Sequence, residues 1–103
     1  EDRPPVQHPA IRTHPVTGRK ALFVNKLFTT GFVQLGHAEG EALLKFLFEH
    51  AVMPEHTVRW SWQEGDVAIW DNRCTMHYAE YDYDDTEPRR MHRTTAAGDR
   101  PRA

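Results

Sequence analysis

The sequence predicts a mainly β fold that carries one helix, and three observations lead to this expectation. Residues 37–53 place apolar side chains at helical spacing, and residues 57–63 alternate apolar and polar side chains as a half-buried strand does. Glu64-Gly65 then predicts a tight turn into a second β run at 66–70, as in an antiparallel hairpin. With 103 residues, the chain has the size of one domain or of part of one.

The first segment, residues 1–19, is expected to be an extended arm. It contains four of the seven prolines, each of which removes a backbone donor and favours extended geometry in the residue before it. Thr17-Gly18 predicts a turn, and the short apolar run at 20–25 predicts a strand. Residues 28–35, which include Gly31, fit either a second short strand or an irregular crossing loop.

The helix is expected over residues 37–53, with Pro54 as its stop signal. Its apolar face consists of Leu43, Leu44, Leu47, Phe48 and Ala51.

The core strands are expected within residues 56–97. They comprise the hairpin at 57–70 and extended pieces around 76–79 and 89–95, with the acidic stretch 80–87 between these two pieces. The hairpin tryptophans Trp60, Trp62 and Trp70 are expected in the core rather than on a platform for nucleic-acid bases.

Charge and cysteine content exclude several classes of protein. The chain has 13 basic and 15 acidic side chains, a net charge of -2, and a mean hydropathy of -0.73, which disfavour nucleic-acid binding. No apolar run approaches the roughly 20 residues of a membrane span, so no membrane partner is expected. Cys74 has no partner within the chain, which excludes a disulfide scaffold and favours a reducing, cytoplasmic location.

The densest group of chemically versatile side chains lies in residues 70–93. If residues 89–95 form a strand, Arg89 and Arg93 share one face, with their stems about 13 Å apart. Two guanidinium groups placed this way repel each other unless anions lie between or beside them. The pair fits a site for two small anions, a site for one anionic ligand with structural Asp or Glu partners, or a surface charge cluster.

The block WDNRCTMHYAEYDY, followed by RRMHRTT and GDRP, closely resembles the C-terminal half of the taurine dioxygenase family. Members of this family are Fe(II)- and 2-oxoglutarate-dependent oxygenases built on a double-stranded β-helix. The segments HPAIRTHPVTGRKALFVNKLFTT, EALLKFLFEH and VRWSWQEGDVAIWDNR resemble the same family in the same order. The resemblance implies that residues 1–103 are the C-terminal part of a single dioxygenase domain, with a partial double-stranded β-helix of the jelly-roll or cupin-like kind.

The resemblance also implies roles for four residues. His77 would be the distal iron ligand, Arg89 would bind the far carboxylate of 2-oxoglutarate, Arg93 would face the acidic group of the substrate, and Phe28 would line the substrate pocket. Arg90 is the alternative to Arg89, which is preferred because it shares strand parity with Arg93. An imidazole suits Fe(II), and Arg meets a carboxylate with two parallel hydrogen bonds.

By the same resemblance, the parent enzyme would use Fe(II), O2 and 2-oxoglutarate to hydroxylate a small anionic substrate. Taurine, another sulfonate, an alkyl sulfate and an aryloxyacetate all remain open as that substrate. A homo-oligomer is expected.

The other two ligands of the family's iron form a His-x-Asp or His-x-Glu pair, which residues 1–103 lack. His37 and Glu39 have the right spacing, but two residues apart on a helix point about 200° from each other and cannot face one metal. The chain therefore supplies one ligand of three and is expected to be inactive by itself. The alternative function is a non-catalytic anion-binding or assembly module without a complete iron site.

The remaining polar residues are given supporting roles. Asp71 and Asn72 are expected to shape the turn before His77 through side-chain to backbone hydrogen bonds, and Cys74 is expected to be a buried thiol. Surface or supporting positions are expected for His8, His14, His50, His56 and His92.

Overall fold

The structure is a computed structural model that describes residues 4–80, 84, 86 and 88–103. Its elements, in chain order, are strand β1 (Ile11–Thr13), strand β2 (Lys20–Leu22), helix α1 (His37–Ala51) and a short 3-10 helix (Pro54–His56). The described chain is mainly non-helical, with one α-helix and one two-stranded sheet, which confirms the single α-helix of the prediction but leaves the mainly β class a prediction. Within the described ranges there is one two-stranded sheet, so the jelly roll stays a prediction.

The two strands form an antiparallel hairpin in which Arg12 lies opposite Ala21. The predicted turn at Thr17-Gly18 is confirmed, because Gly18 has a φ of 71° and its N–H donates to the His14 carbonyl at 2.9 Å. Residues 11–13 of the predicted arm are a paired strand rather than a free extended segment, since 20–22 supply the partner. Residues 1–3 of that arm lie outside the described residues.

The outer edge of β1 is covered by the C-terminal segment. The Thr13 N–H donates to the Arg102 carbonyl at 2.8 Å, on the side of the strand that faces away from β2. The strand β1 and the C-terminal segment therefore lie side by side.

Helix α1 confirms the predicted helix except for its last two residues. It buries Gly40 and Leu44. A Cβ at Gly40 would lie 3.9 Å from Leu35 and 4.0 Å from Phe32, so the helix packs on the 32–35 segment. That segment has turns but no strand, which selects the crossing loop from the two alternatives for residues 28–35.

The expected strands within 56–97 are not formed in the described part of that range, although the turn between the first two is. Gly65 has a φ of 88°, and the Asp66 N–H donates to the Gln63 carbonyl at 3.1 Å. On either side of this turn, residues 57–63 and 66–70 have no regular secondary structure and form no ladder. An isolated hairpin is marginal in water, and no second sheet covers its apolar face in the described residues.

The exposure of the hairpin's apolar side chains follows from this lack of cover. Val58 is 93% exposed and Ile69 is 96% exposed. The three tryptophans are 40 to 63% exposed, so the prediction that they lie in the core is wrong. Among the described residues, the buried hydrophobic side chains are Val24 and Leu44, and the buried polar or charged ones are Arg12 and His14. Among the described helices, none is long and apolar enough to cross a membrane.

Candidate functional site

Asp71 organises the turn that leads to His77. Its backbone carbonyl accepts hydrogen bonds from the N–H groups of Cys74 (3.2 Å) and Thr75 (3.0 Å) and from the Thr75 hydroxyl (2.7 Å). Its side-chain Oδ1 accepts the N–H of Arg73 at 2.9 Å. One residue thus satisfies most of the polar groups of the turn 71–75, as predicted for Asp71.

The Asp71 carboxylate is also held by two side chains. Arg73 donates from Nε to Oδ1 at 2.9 Å and from Nη2 to Oδ2 at 3.0 Å, and His14 donates from Nε2 to Oδ2 at 2.9 Å. These hydrogen bonds, the one from Arg73 first, hold the pKa of Asp71 well below its ordinary value of 3.8. The carboxylate in turn raises the pKa of Arg73. Asp71 is therefore an anion at neutral pH, at the base of the turn.

His14 reaches Asp71 in a defined tautomer. Its Nδ1 accepts the N–H groups of Val16 (3.1 Å) and Thr17 (3.2 Å), which places the proton on Nε2, the nitrogen that faces Asp71. The side chain is 9% exposed. His14 was expected only as a surface or supporting residue, and no local pattern could have identified its partner 57 positions away.

His14, Asp71 and Cys74 form the one group of three possible metal ligands among the described residues, with ligand atoms within 4.8 Å of one another. The imidazole nitrogen that faces the group carries a proton, and both Asp71 oxygens are engaged by Arg73. Cys74 is exposed and donates from Sγ to the Asp71 carbonyl at 3.8 Å, so the expected buried thiol is wrong. These contacts describe a hydrogen-bonded structural cluster.

His77 follows this turn, on the exposed surface. Its ring lies 4.7 Å from the ring of Trp70, at an interplanar angle of 45°. Trp70 is positioned by Asn72, whose Oδ1 accepts the indole N–H at 3.0 Å. Asn72 was expected to hydrogen-bond to the backbone of the turn. Its side chain instead positions the Trp70 indole beside His77.

The other predicted site residues lie on separate segments. Phe28 is 79% exposed in a turn organised by Asn25. Arg89, Arg90 and Arg93 are exposed in a segment without regular secondary structure that follows the acidic stretch. Within the described chain, no hydrogen bond, ion pair or ring contact joins His77 to Phe28 or Arg93. Of the acidic stretch, residues 81–83, 85 and 87 lie outside the described residues, and Glu80 pairs with Arg59.

The described residues do not by themselves fit an iron ion at His77, because no group of three ligands includes it. The rejection of His37 and Glu39 as a ligand pair agrees with the structure. Both are in helix α1, where His37 Nε2 lies 3.6 Å from the Glu41 carboxylate, one turn along the same face.

Comparison with protein families matches residues 1–95 to the taurine catabolism dioxygenase TauD, TfdA family. The chain belongs to this family. The TauD/TfdA match includes His77, Arg89 and Arg93 as well as the cluster of His14, Asp71 and Cys74, and it confirms the resemblance stated from the motifs.

Two curated relatives are similar over nearly all of the chain. An alkylsulfatase of Acinetobacter baylyi is 45% identical over 93 residues, which cover 90% of this chain and 29% of that protein. An alpha-ketoglutarate-dependent sulfate ester dioxygenase of Pseudomonas putida is 43% identical over 105 residues, which cover 92% of this chain and 31% of that protein. The chain thus spans about three-tenths of the length of these relatives.

A solved structure is also similar to part of this chain. A taurine dioxygenase from Burkholderia xenovorans matches with a TM-score of 0.55 and 46% identity, over 56% of this chain and 21% of that one. The fold of the matched part is therefore shared with a TauD/TfdA enzyme.

Proposed function

We propose that this chain is the C-terminal part of an Fe(II)- and 2-oxoglutarate-dependent dioxygenase that hydroxylates a small anionic substrate, with the match of residues 1–95 to the TauD/TfdA family as the observation that carries the proposal. Because the chain spans about three-tenths of its relatives, the activity belongs to the whole protein. The proposed fold is the matching part of a double-stranded β-helix.

His77 is proposed as one of three ligands of the iron, with the other two supplied by sequence beyond residues 1–103. When bound, the iron would activate O2 for the oxidation of 2-oxoglutarate and substrate. The part of His77 is to present a neutral imidazole nitrogen at a fixed position. Support for this comes from the hydrogen-bonded turn of Asp71 and from the Trp70 ring, which together limit the directions that the imidazole can take.

Arg89 is proposed to bind the far carboxylate of 2-oxoglutarate, and Arg93 the acidic group of the substrate. A guanidinium group donates two parallel hydrogen bonds to a carboxylate, sulfonate or sulfate oxygen pair, which fixes orientation as well as charge. Phe28 is proposed to contact the apolar part of the substrate, and its exposed ring is available for that contact.

The substrate class is proposed from the relatives. Their names refer to an alkyl sulfate, a sulfate ester, 2,4-dichlorophenoxyacetate and a sulfonate, all of which join a small anionic group to a carbon skeleton. A sulfonate or sulfate ester is therefore the proposed substrate, with O2 as co-substrate. A homo-oligomer in the cytoplasm is proposed as the state of the whole protein.

A non-catalytic anion-binding module is the second candidate, favoured by the single proposed iron ligand among the described residues. The two functions are separated by adding Fe(II) and 2-oxoglutarate to the full-length protein without oxygen. The dioxygenase is expected to develop a weak visible charge-transfer band, which a binding module would lack.

The matched variants for this experiment are His77→Ala and His92→Ala. The band should disappear with His77→Ala and persist with His92→Ala, since His92 is also exposed and has no proposed ligand role. A wild-type protein without the band, or a His77→Ala protein that keeps it, would contradict the proposal.

A further inference from the structure

A cavity of about 180 Å³ lies between the region of β1 and the C-terminal segment. Its walls are Arg12, Thr13, Pro15, Asp99, Arg100 and Arg102. The hydrogen bond from the Thr13 N–H to the Arg102 carbonyl holds the C-terminal segment against β1 and so closes the cavity. None of the residues proposed to bind iron, 2-oxoglutarate or substrate lines it.

Arg12 is the buried wall of this cavity. The residue is 5% exposed, and its Nε–H has no acceptor among the described residues. The guanidinium carbon lies 4.9 Å from the centroid of the Phe23 ring, over β2, where the small Ala21 lies directly opposite Arg12. The ring supports the cation but offers no lone pair to the Nε–H. The Nε–H is enclosed by protein atoms, so it does not itself meet a ligand in the cavity. Burying the positive charge of the guanidinium group is costly, and an anion bound nearby would lower that cost.

The other polar groups of the cavity favour an anion with two negative charges. Three guanidinium groups face one carboxylate, that of Asp99, which leaves a net charge of two positive units. The Asp99 carboxylate also acts on Arg73, whose pKa it helps to raise. Lys20 Nζ donates to the Thr13 hydroxyl at 3.1 Å, which places a further cation beside Thr13, a residue of the cavity wall.

We propose that this cavity is a binding site for a small divalent oxyanion, with sulfate as the model ligand. The Arg12 guanidinium group would stabilise the anion by its charge from the buried side, and Arg100 and Arg102 would meet the anion's oxygens from the solvent side. The small volume and the chain's overall charge of -2 favour a free inorganic ion over a nucleic-acid backbone, which requires an extended basic surface. The site is separate from the proposed active site.

The test is an isothermal titration calorimetry experiment in which sodium sulfate is added to the full-length protein, free of iron and 2-oxoglutarate. Ionic strength is kept constant with sodium chloride so that general screening does not contribute. Saturable binding of one sulfate is expected, weakened about tenfold by Arg102→Gln, the loss that follows when one charge-assisted hydrogen bond is removed. Sodium formate in a second titration should bind more weakly, because it carries a single charge.

Arg12→Gln, Arg19→Gln and Arg93→Gln complete the design. Arg12→Gln removes the buried positive charge and should weaken sulfate binding; if this buried variant does not fold, the exposed Arg102 still decides. Arg19→Gln removes an exposed arginine outside the cavity and should leave binding unchanged. The proposal would be overturned by the absence of saturable sulfate binding, or by equal losses of sulfate affinity in Arg19→Gln and Arg102→Gln. A loss of sulfate affinity in Arg93→Gln alone would also overturn it, because that result would assign the ion to the substrate site.

Discussion

The Nε2 of His14 donates a 2.9 Å hydrogen bond to Oδ2 of Asp71, across 57 positions of sequence. His14 begins the connection between β1 and β2, and Asp71 begins the turn that leads to His77. The bond therefore fixes the proposed iron-ligand turn to the one sheet of the described residues. Because His14 also accepts two backbone N–H groups, its ring cannot rotate without loss of three hydrogen bonds.

His14→Ala is expected to lower the thermal midpoint of the full-length protein by about 2–4 °C. The substitution removes the bond to Asp71 and leaves the N–H groups of Val16 and Thr17 without their acceptor. Scanning calorimetry at neutral pH measures the midpoint. His92→Ala, at an exposed position, is the control and should change it little. Equal midpoints for His14→Ala and wild type would contradict the structural role of this bond.

The Asp71 carboxylate should make stability depend on acid pH. Its pKa in the folded protein is lowered below the ordinary value of 3.8, so its contribution is complete above that value and is lost as the pH falls toward the folded pKa. Urea unfolding between about pH 5 and pH 2 should show a smaller loss of stability for Asp71→Asn than for wild type. Parallel profiles of the two proteins would refute this. The effect is moderated by solvent, because the side chain is 35% exposed.

Gly65→Ala should destabilise the protein by about 1 kcal/mol. Gly65 has a φ of 88°, in the left-handed region that disfavours a side chain. Gly98→Ala is the matched control, since that glycine has no positive φ and a Cβ there meets nothing within 4 Å. Denaturant midpoints give the comparison, and a Gly65→Ala protein as stable as the Gly98→Ala protein would show that the turn is not formed.

Arg93→Ala in the full-length protein is expected to raise the KM for the sulfonate or sulfate ester about tenfold or more and to leave the KM for 2-oxoglutarate nearly unchanged. The reason is the loss of the paired hydrogen bonds proposed for the substrate anion. Steady-state measurements with each substrate varied in turn separate the two constants. An unchanged substrate KM would show that Arg93 does not face the substrate.

Arg89→Gln is expected to raise the KM for 2-oxoglutarate and to leave the KM for the sulfonate or sulfate ester nearly unchanged. Arg90→Gln is its matched control at the neighbouring position, and a larger effect of Arg90→Gln would assign the 2-oxoglutarate carboxylate to Arg90 instead.

The sequence by itself determined the features that depend on near neighbours and on specific motifs. The helix, the turns at Gly18 and Gly65 and the backbone hydrogen bonds of Asp71 are local, so apolar spacing and turn residues were sufficient to predict them. The TauD/TfdA family followed from motif order. Only the tertiary structure decided that Arg12 and His14 are buried, that the C-terminal segment covers β1, and that Trp60, Trp62 and Trp70 are exposed. Burial and strand pairing depend on which distant segments meet. Residues 57–70 have no partner sheet among the described residues, so they do not form the strands that their alternating pattern predicts.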